Sequence, residues 1–190
     1  MGMTPAPKLS GLAEMFQAAS VPGRAPPPVH LWNPAFCGDI DIRIRKDGTW
    51  LHEGSPIGRP ELVRLFSSVL RKDADGVCLV TPAEKLRIIV EDAPFTAIGV
   101  EQQDGVVRFV TNVGDLVEAG PDHAIRVETR PDGEPRPYLH VRRGLEALIG
   151  RQVFYDLVAM GEPRRGKDGL RLMLASHGVW FDLGPLEPAA

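Results

Sequence analysis

The sequence predicts an α+β fold built from two β-rich units, each an antiparallel sheet plus one helix. The units are related by internal duplication and preceded by an N-terminal helix and a Pro-rich strap. Three observations predict this. Gly (20) and Pro (18) together make up a fifth of the 190 residues, against about 12% in average usage, an excess that favours turn-rich β structure over helix bundles. Short runs with apolar residues at every second position are separated by Asp-Gly turns. One order of pieces, charged strand, x-Asp-Gly turn, strand, helix, occurs twice along the chain.

Taken in order, residues 10–19 read as a short amphipathic helix with Ser10 as N-cap and Leu12, Met15, Phe16 and Ala19 along one face. Pro22, Pro26, Pro27, Pro28 and Pro34 then fix φ and remove donors, so residues 21–34 read as an extended surface connector. In the first block, Ile40, Ile42 and Ile44 alternate with Asp39, Asp41, Arg43 and Arg45, placing isoleucines on one sheet face and charges on the other. Lys46-Asp47-Gly48 turns the chain into a return strand at 49–52. Pro60 and Glu61 open a core-facing helix with Leu62, Leu65, Phe66, Val69 and Leu70 at helical spacing, broken at Asp75-Gly76. Strands at 77–80 and 86–90, joined through Thr81-Pro82, complete a β-β-α-β-β unit.

A hairpin at 97–110, turning at Gln103-Asp104-Gly105, separates the copies. The second copy begins with Ile125-Arg126-Val127, turns at Arg130-Pro131-Asp132-Gly133 and continues through a strand at 136–141. A helix from about Arg143 follows, with Leu145, Leu148, Ile149 and Val153 at helical spacing. Lys167-Asp168-Gly169 then precedes an apolar strand at 170–175. The organisation is 1–37 for the helix and connector, 38–92 for the first unit and 93–190 for the second.

Composition narrows function mainly by exclusion. Hydrophobic residues at 43% and charged residues at 25% suit a domain with a packed core. A net charge of −3 argues against nucleic acid, whose binding domains are basic. Cys37 and Cys78 are the two cysteines and lie far apart, so neither a disulfide framework nor a zinc ribbon is encoded, and both read as small core residues. The N-terminal region lacks a signal-peptide pattern and no segment approaches about 18 apolar residues, so the expectation is a cytoplasmic protein with no membrane contact. The glycines of 53–59 form neither a P-loop nor a nucleophile elbow, and no dinucleotide fingerprint or His-Glu-x-x-His occurs. The five histidines are scattered singly, so no metal site and no cofactor is expected.

The stronger signal is the polar faces of strands. Alternation puts Arg136, Tyr138, His140 and Arg142 on one face, and Lys85, Arg87 and Glu91 on another. Guanidinium forks bind carboxylate or phosphate bidentately, so these faces, meeting in a cleft, would take an anionic small molecule. Arg43, Arg87 and Arg142 would pair with it, His140 would hydrogen-bond it, and Tyr138 and Trp50 would wall it. Arg59, before the Pro60 helix start, adds a helix N-terminus. The same pattern is also that of solvated outer faces of half-buried sheets. The basic run Arg164-Arg165-Gly166-Lys167 reads as a solvated hairpin loop.

The run Gly38-Asp39-Ile40-Asp41-Ile42-Arg43-Ile44, with Asp47-Gly48-Thr49-Trp50, Gly54-Ser55-Pro56-Ile57-Gly58-Arg59, Leu79-Val80-Thr81-Pro82, Val90-Glu91-Asp92-Ala93-Pro94-Phe95 and 136–145, resembles a bacterial family catalogued as domain of unknown function 1285. The resemblance spans about residues 30–185. It implies a two-domain α+β protein with repeated halves, a small-molecule site near the domain junction and a link to signal transduction, and it implies no activity or catalytic residues. The expected function is therefore a binding or sensory module for an anionic small molecule. A scaffold recognising an unknown protein partner is the alternative, and a hydrolase or transferase using His140 and Glu91 comes third.

Overall fold

The computed structural model describes residues 27–186 other than residue 168. The expected helix at 10–19, the connector before Pro27 and Asp168 of the last Asp-Gly turn lie outside the described residues. Two compact units divide between Asp92 and Ala93, each a six-stranded sheet with a helix.

In the first unit, β1 (Phe36–Ile44), β2 (Trp50–His52) and β3 (Ser55–Pro56) precede α1 (Pro60–Ser68), and β4 (Leu70–Asp73), β5 (Gly76–Val80) and β6 (Lys85–Val90) follow it. The sheet order is β3-β2-β1-β6-β5-β4. The sheet is mixed rather than antiparallel: two antiparallel meanders meet where β1 runs parallel to β6. Hairpin turns in the sequence report local antiparallel pairing only, which is why the parallel join between the first and last strands was not foreseen. Alternation along β1 buries Ile40, Ile42 and Ile44 as expected. Leu65 and Phe66 of α1 are buried as well, with Phe66 stacked on the buried Trp50 at 6.2 Å between ring centroids. Pro60 at the helix start suits its fixed φ and missing N–H. The helix stops at Ser68, and Leu70, expected on its apolar face, opens strand β4 instead, paired with Leu79.

The described part of the connector is not uniformly extended. Val29–Leu31 form a 3₁₀ turn with Val29 buried, and Arg71 of β4 holds it by donating from Nη1 to the carbonyls of Val29 (3.1 Å) and Trp32 (2.7 Å). Cys37 is exposed and only Cys78 is buried, since Cys37 precedes the residues of β1 that the sheet covers.

The second unit contains β7 (Phe95–Gln103), β8 (Val106–Thr111), β9 (Leu116–Glu118), β10 (Ile125–Thr129), β11 (Pro135–Arg142) and β12 (Leu145–Ile149). Then come α2 (Arg151–Met160) and a three-stranded sheet of β13 (Glu162–Gly166), β14 (Gly169–Ser176) and β15 (Val179–Pro185). The six-stranded order, β10-β11-β12-β7-β8-β9, has the same connectivity as the first sheet, with β7 and β12 as the parallel central pair. The anticipated pairing of repeats was out of phase, however. The Ile40–Ile44 stretch lies in a central strand, whereas Ile125-Arg126-Val127 lies in the edge strand β10. The 97–110 hairpin belongs to the centre of the second sheet rather than between copies, and α2 follows its sheet whereas α1 interrupts the first.

The helix expected from Arg143 is also corrected. Leu145, Ala147 and Ile149 are buried along strand β12, and the helix begins at Arg151. A run as short as Leu-Glu-Ala-Leu-Ile satisfies both periods, and here the parallel contact with Phe95 and Ala97 of β7 decides for the strand. Arg164 and Arg165 lie in β13, not in a loop. Leu174 and Phe181 of the small sheet and Leu157 of α2 complete the buried core with Phe95, Phe109 and Leu139.

Candidate functional site

The outer face of the first sheet carries ion pairs across its strands. Arg87 binds Asp39 through Nε and Nη2 at 2.6 and 3.0 Å, and Arg43 reaches Glu91 at 3.4 Å. Glu91 also accepts the Lys46 N–H, and the guanidinium beside Asp39 lowers that carboxyl's pKa. Trp50 faces the other way, into the core, where its indole N–H has no partner among the described residues. Arg59 occupies the N-cap position of α1 and makes no side-chain cap bond. Of the four candidates in this unit, Arg43 and Arg87 therefore share a face and Trp50 does not.

Next to them, Arg71 grips Asp73 through Nε and Nη2 at 2.7 and 2.8 Å, and Lys85 donates to Asp73 at 2.6 Å. Bonding from Arg71 first, and then Lys85, holds the Asp73 carboxyl down at about 2. Asp75 and the buried Cys78 complete a cluster of metal-ligating types within 4.8 Å of one another. The Lys85 ammonium, also 3.6 Å from Asp75, supplies the cation for those carboxylates. Burial raises the Cys78 thiol pKa.

In the second unit, the hairpin between β11 and β12 redistributes the expected face. His140 pairs in register with Glu146, but Arg142 pairs with Leu145 after a one-residue shift. Neighbouring residues of β12 point to opposite faces, so this bulge moves Arg142 to the buried side. There its guanidinium lies over the Phe95 ring at 4.8 Å and bonds Asp115 at 2.6 Å. The two-residue turn that follows has positive φ at Arg143 (44°) and Gly144 (76°), as a tight hairpin requires. Tyr138 and His140 stay together on the outer face, and Arg142 leaves them.

His140 is committed to the backbone. Its Nδ1 lies 2.7 Å from the Asp122 carbonyl, which can only accept, and its Nε2 accepts the Gly144 N–H at 3.0 Å. The ring is thus the neutral Nδ1–H tautomer, stapling two turns and stacked on His123 at 5.9 Å. Neither ring nitrogen remains for a ligand or for a substrate proton.

A concave feature of this unit lies elsewhere. A cavity of about 240 Å³ opens between β10 and β15. Ile125, Arg126, Val127 and Thr129 line one side, and Asp182, Gly184 and Pro185 the other, with Arg171 of β14 beside them. Arg126 binds Glu146 in a fork at 2.6 and 2.7 Å, bonds Glu128 through Nη1 and stacks over the Tyr138 ring at 4.2 Å. The Glu146 bond foremost, then Glu128, raises the guanidinium pKa still further, so it is charged throughout the working pH range. Arg171 bonds Asp182 across β14 and β15. The carboxylates fix where the two guanidinium groups point, and three of the five N–H groups of Arg126 are used in doing so.

Tyr138, expected to wall a ligand, is buried beneath Arg126 and does not line the cavity, and the sequence reading does not single out Arg126, Arg171 or Asp182. Counting outward from the three-residue Pro131-Asp132-Gly133 turn puts Arg126 directly across from Tyr138, so the signal for Arg126 was present. The approach of β15 to β10 leaves no local trace in the sequence.

Residues 27–93 match the family model described as "Domain of unknown function (DUF1285), N-terminal domain", and residues 94–183 match "Protein of unknown function (DUF1285), C-terminal domain". Among solved structures, the chain is similar to a DUF1285 family protein from Silicibacter pomeroyi DSS-3, at 48% identity and a TM-score of 0.80, covering 90% of this chain and 94% of that one. It is also similar to a DUF1285 family protein from Shewanella baltica OS155, at 29% identity and a TM-score of 0.52, covering 62% and 90% respectively. No curated protein matches.

Proposed function

The chain belongs to the DUF1285 family, whose two domain models together account for residues 27–183, and from that premise we propose that it is a binding or sensory module for a small anionic molecule. The ligand sits in the second unit, between β10 and β15. One observation carries this reading: Arg126 and Arg171 come from different sheets yet line one cavity, each held in place by carboxylates. Guanidinium groups immobilised in this way meet a carboxylate or phosphate with little further loss of side-chain freedom. We also read the shared strand order of the two sheets as internal duplication, and a cytoplasmic role in signal transduction as part of the same proposal. No described helix is long and apolar enough to cross a membrane.

Pyrophosphate and citrate are the probes. A ligand at about one hundred times its dissociation constant adds roughly 2.7 kcal/mol, which raises the melting temperature by several degrees. The rise should appear with at least one probe and vanish in both Arg126→Gln and Arg171→Gln. A rise that survives both substitutions, or no rise with either probe, refutes the site.

A second reading, recognition of another protein, draws on Ile98, Val110 and Leu116, which are 60, 36 and 69% exposed on neighbouring strands β7, β8 and β9. Self-association or partner capture abolished by Leu116→Lys, with anion binding intact, would favour it.

A further inference from the structure

The cavity is too small for an ordinary ligand. At about 240 Å³ it falls below the roughly 300–1,000 Å³ of typical small-molecule pockets. At about 30 Å³ of liquid volume per water, it has room for a compact head group and little more. Whatever else the ligand carries must lie on the surface beside the opening.

That surface has a definite chemistry. Trp180 and Asp182 stand two residues apart on β15, hence about 7 Å apart on the same face. Asp182 lines the cavity and Trp180 lies outside it. The Trp180 ring carries the Arg164 guanidinium at 3.7 Å and still keeps 37% of its surface exposed. Arg164 of β13 is directly opposite Arg171 of β14, two like charges that each turn to a different partner, Arg164 to the indole and Arg171 to Asp182. The small sheet thus offers an aromatic platform reinforced by a cation, two residues along β15 from the Asp182 that lines the cavity and holds Arg171. Stacking on an indole is how proteins hold planar bases without reading their identity.

We infer that the anion bound by this unit is a mononucleotide, with its phosphate in the cavity near Arg126 and Arg171 and its base stacked at Trp180. The inference rests on the anion-binding reading above and adds the planar base to it.

The test compares adenosine monophosphate with ribose 5-phosphate by titration calorimetry on the full chain, in the wild type and in Trp180→Leu and Arg171→Gln. Stacking of one base is worth about a 5- to 150-fold gain in affinity, so the nucleotide should bind that much more tightly than the sugar phosphate. Trp180→Leu should bring the nucleotide down to the affinity of ribose 5-phosphate while leaving the latter unchanged, and Arg171→Gln should weaken both. Trp180→Phe, which keeps an aromatic face, should retain most of the gap and shows that loss in the leucine variant is not misfolding. Equal binding of the two probes, or a gap that survives Trp180→Leu, overturns the nucleotide assignment and leaves the anion site standing. Binding of neither probe removes both.

Discussion

Replacing Ser176 with alanine should weaken the second unit by about 2–6 kcal/mol, although it removes a single oxygen atom. Ser176 is fully buried at the end of β14. Its Oγ accepts the Val107 N–H at 2.9 Å and donates to the Ala119 carbonyl at 2.6 Å. On the same residue pair the Ala119 N–H donates directly to the Val107 carbonyl at 2.9 Å. The hydroxyl therefore stands where Val107 N–H and Ala119 C=O would otherwise bond each other, and it ties the small sheet to the large one. Alanine leaves both backbone groups buried and unpaired, at about 1–3 kcal/mol each. For a unit of this size that corresponds to a melting temperature lower by at least about 8 °C. Urea denaturation followed by circular dichroism gives the free energy, and amide hydrogen exchange at Val107 reports the local bond. A loss below about 0.5 kcal/mol with Val107 still protected would refute the reasoning, because it would mean that the strands close and pair directly without the hydroxyl.

Two further predictions concern other polar contacts. The folded Asp73 pKa of about 2 lies below the ordinary value of 3.8, so this carboxylate contributes stability that is fully present above about pH 4 and is lost as the pH falls from about 4 to 2. Asp73→Asn should destabilise the first unit at pH 7 and flatten that part of its pH profile; an unchanged acid slope in the variant would rule the carboxylate out as its source. His140→Ala should cost about 0.5–1.5 kcal/mol, because the exposed Asp122 carbonyl and Gly144 N–H exchange the imidazole for water. It should leave pyrophosphate binding unaltered, and impaired binding in a variant of normal stability would place His140 in a ligand site instead.

The resemblance to the family was legible in the sequence because its motifs are strung along nearly the whole chain, and both domain models match. The candidate site was legible only in fragments. Alternation correctly put Tyr138 and His140 on one outer face, but it cannot show a bulge, and the bulge beyond His140 sends Arg142 to Phe95. Sequence reading identified arginines as anion-binding groups; Arg43, Arg87 and Arg142 each hold a carboxylate of their own unit, as Arg126 and Arg171 do, but only the latter two line the cavity between β10 and β15. Charge partners separated by 48 or 27 residues have no local signature.

What the sequence by itself determined is local. The burial of Ile40, Ile42 and Ile44, the hairpins at Asp47-Gly48 and Asp104-Gly105, and the helix opened by Pro60 follow from side-chain period, from glycine's access to positive φ and from the fixed φ of proline. These causes act within a few residues. The tertiary structure alone decided the parallel pairing of β1 with β6 and of β7 with β12, the strand rather than helix at Leu145–Ile149, and the approach of β15 to β10 that brings Arg126 and Arg171 to one cavity. Each of these joins residues far apart in the chain, at a cost in loop-closure entropy that only the finished core repays.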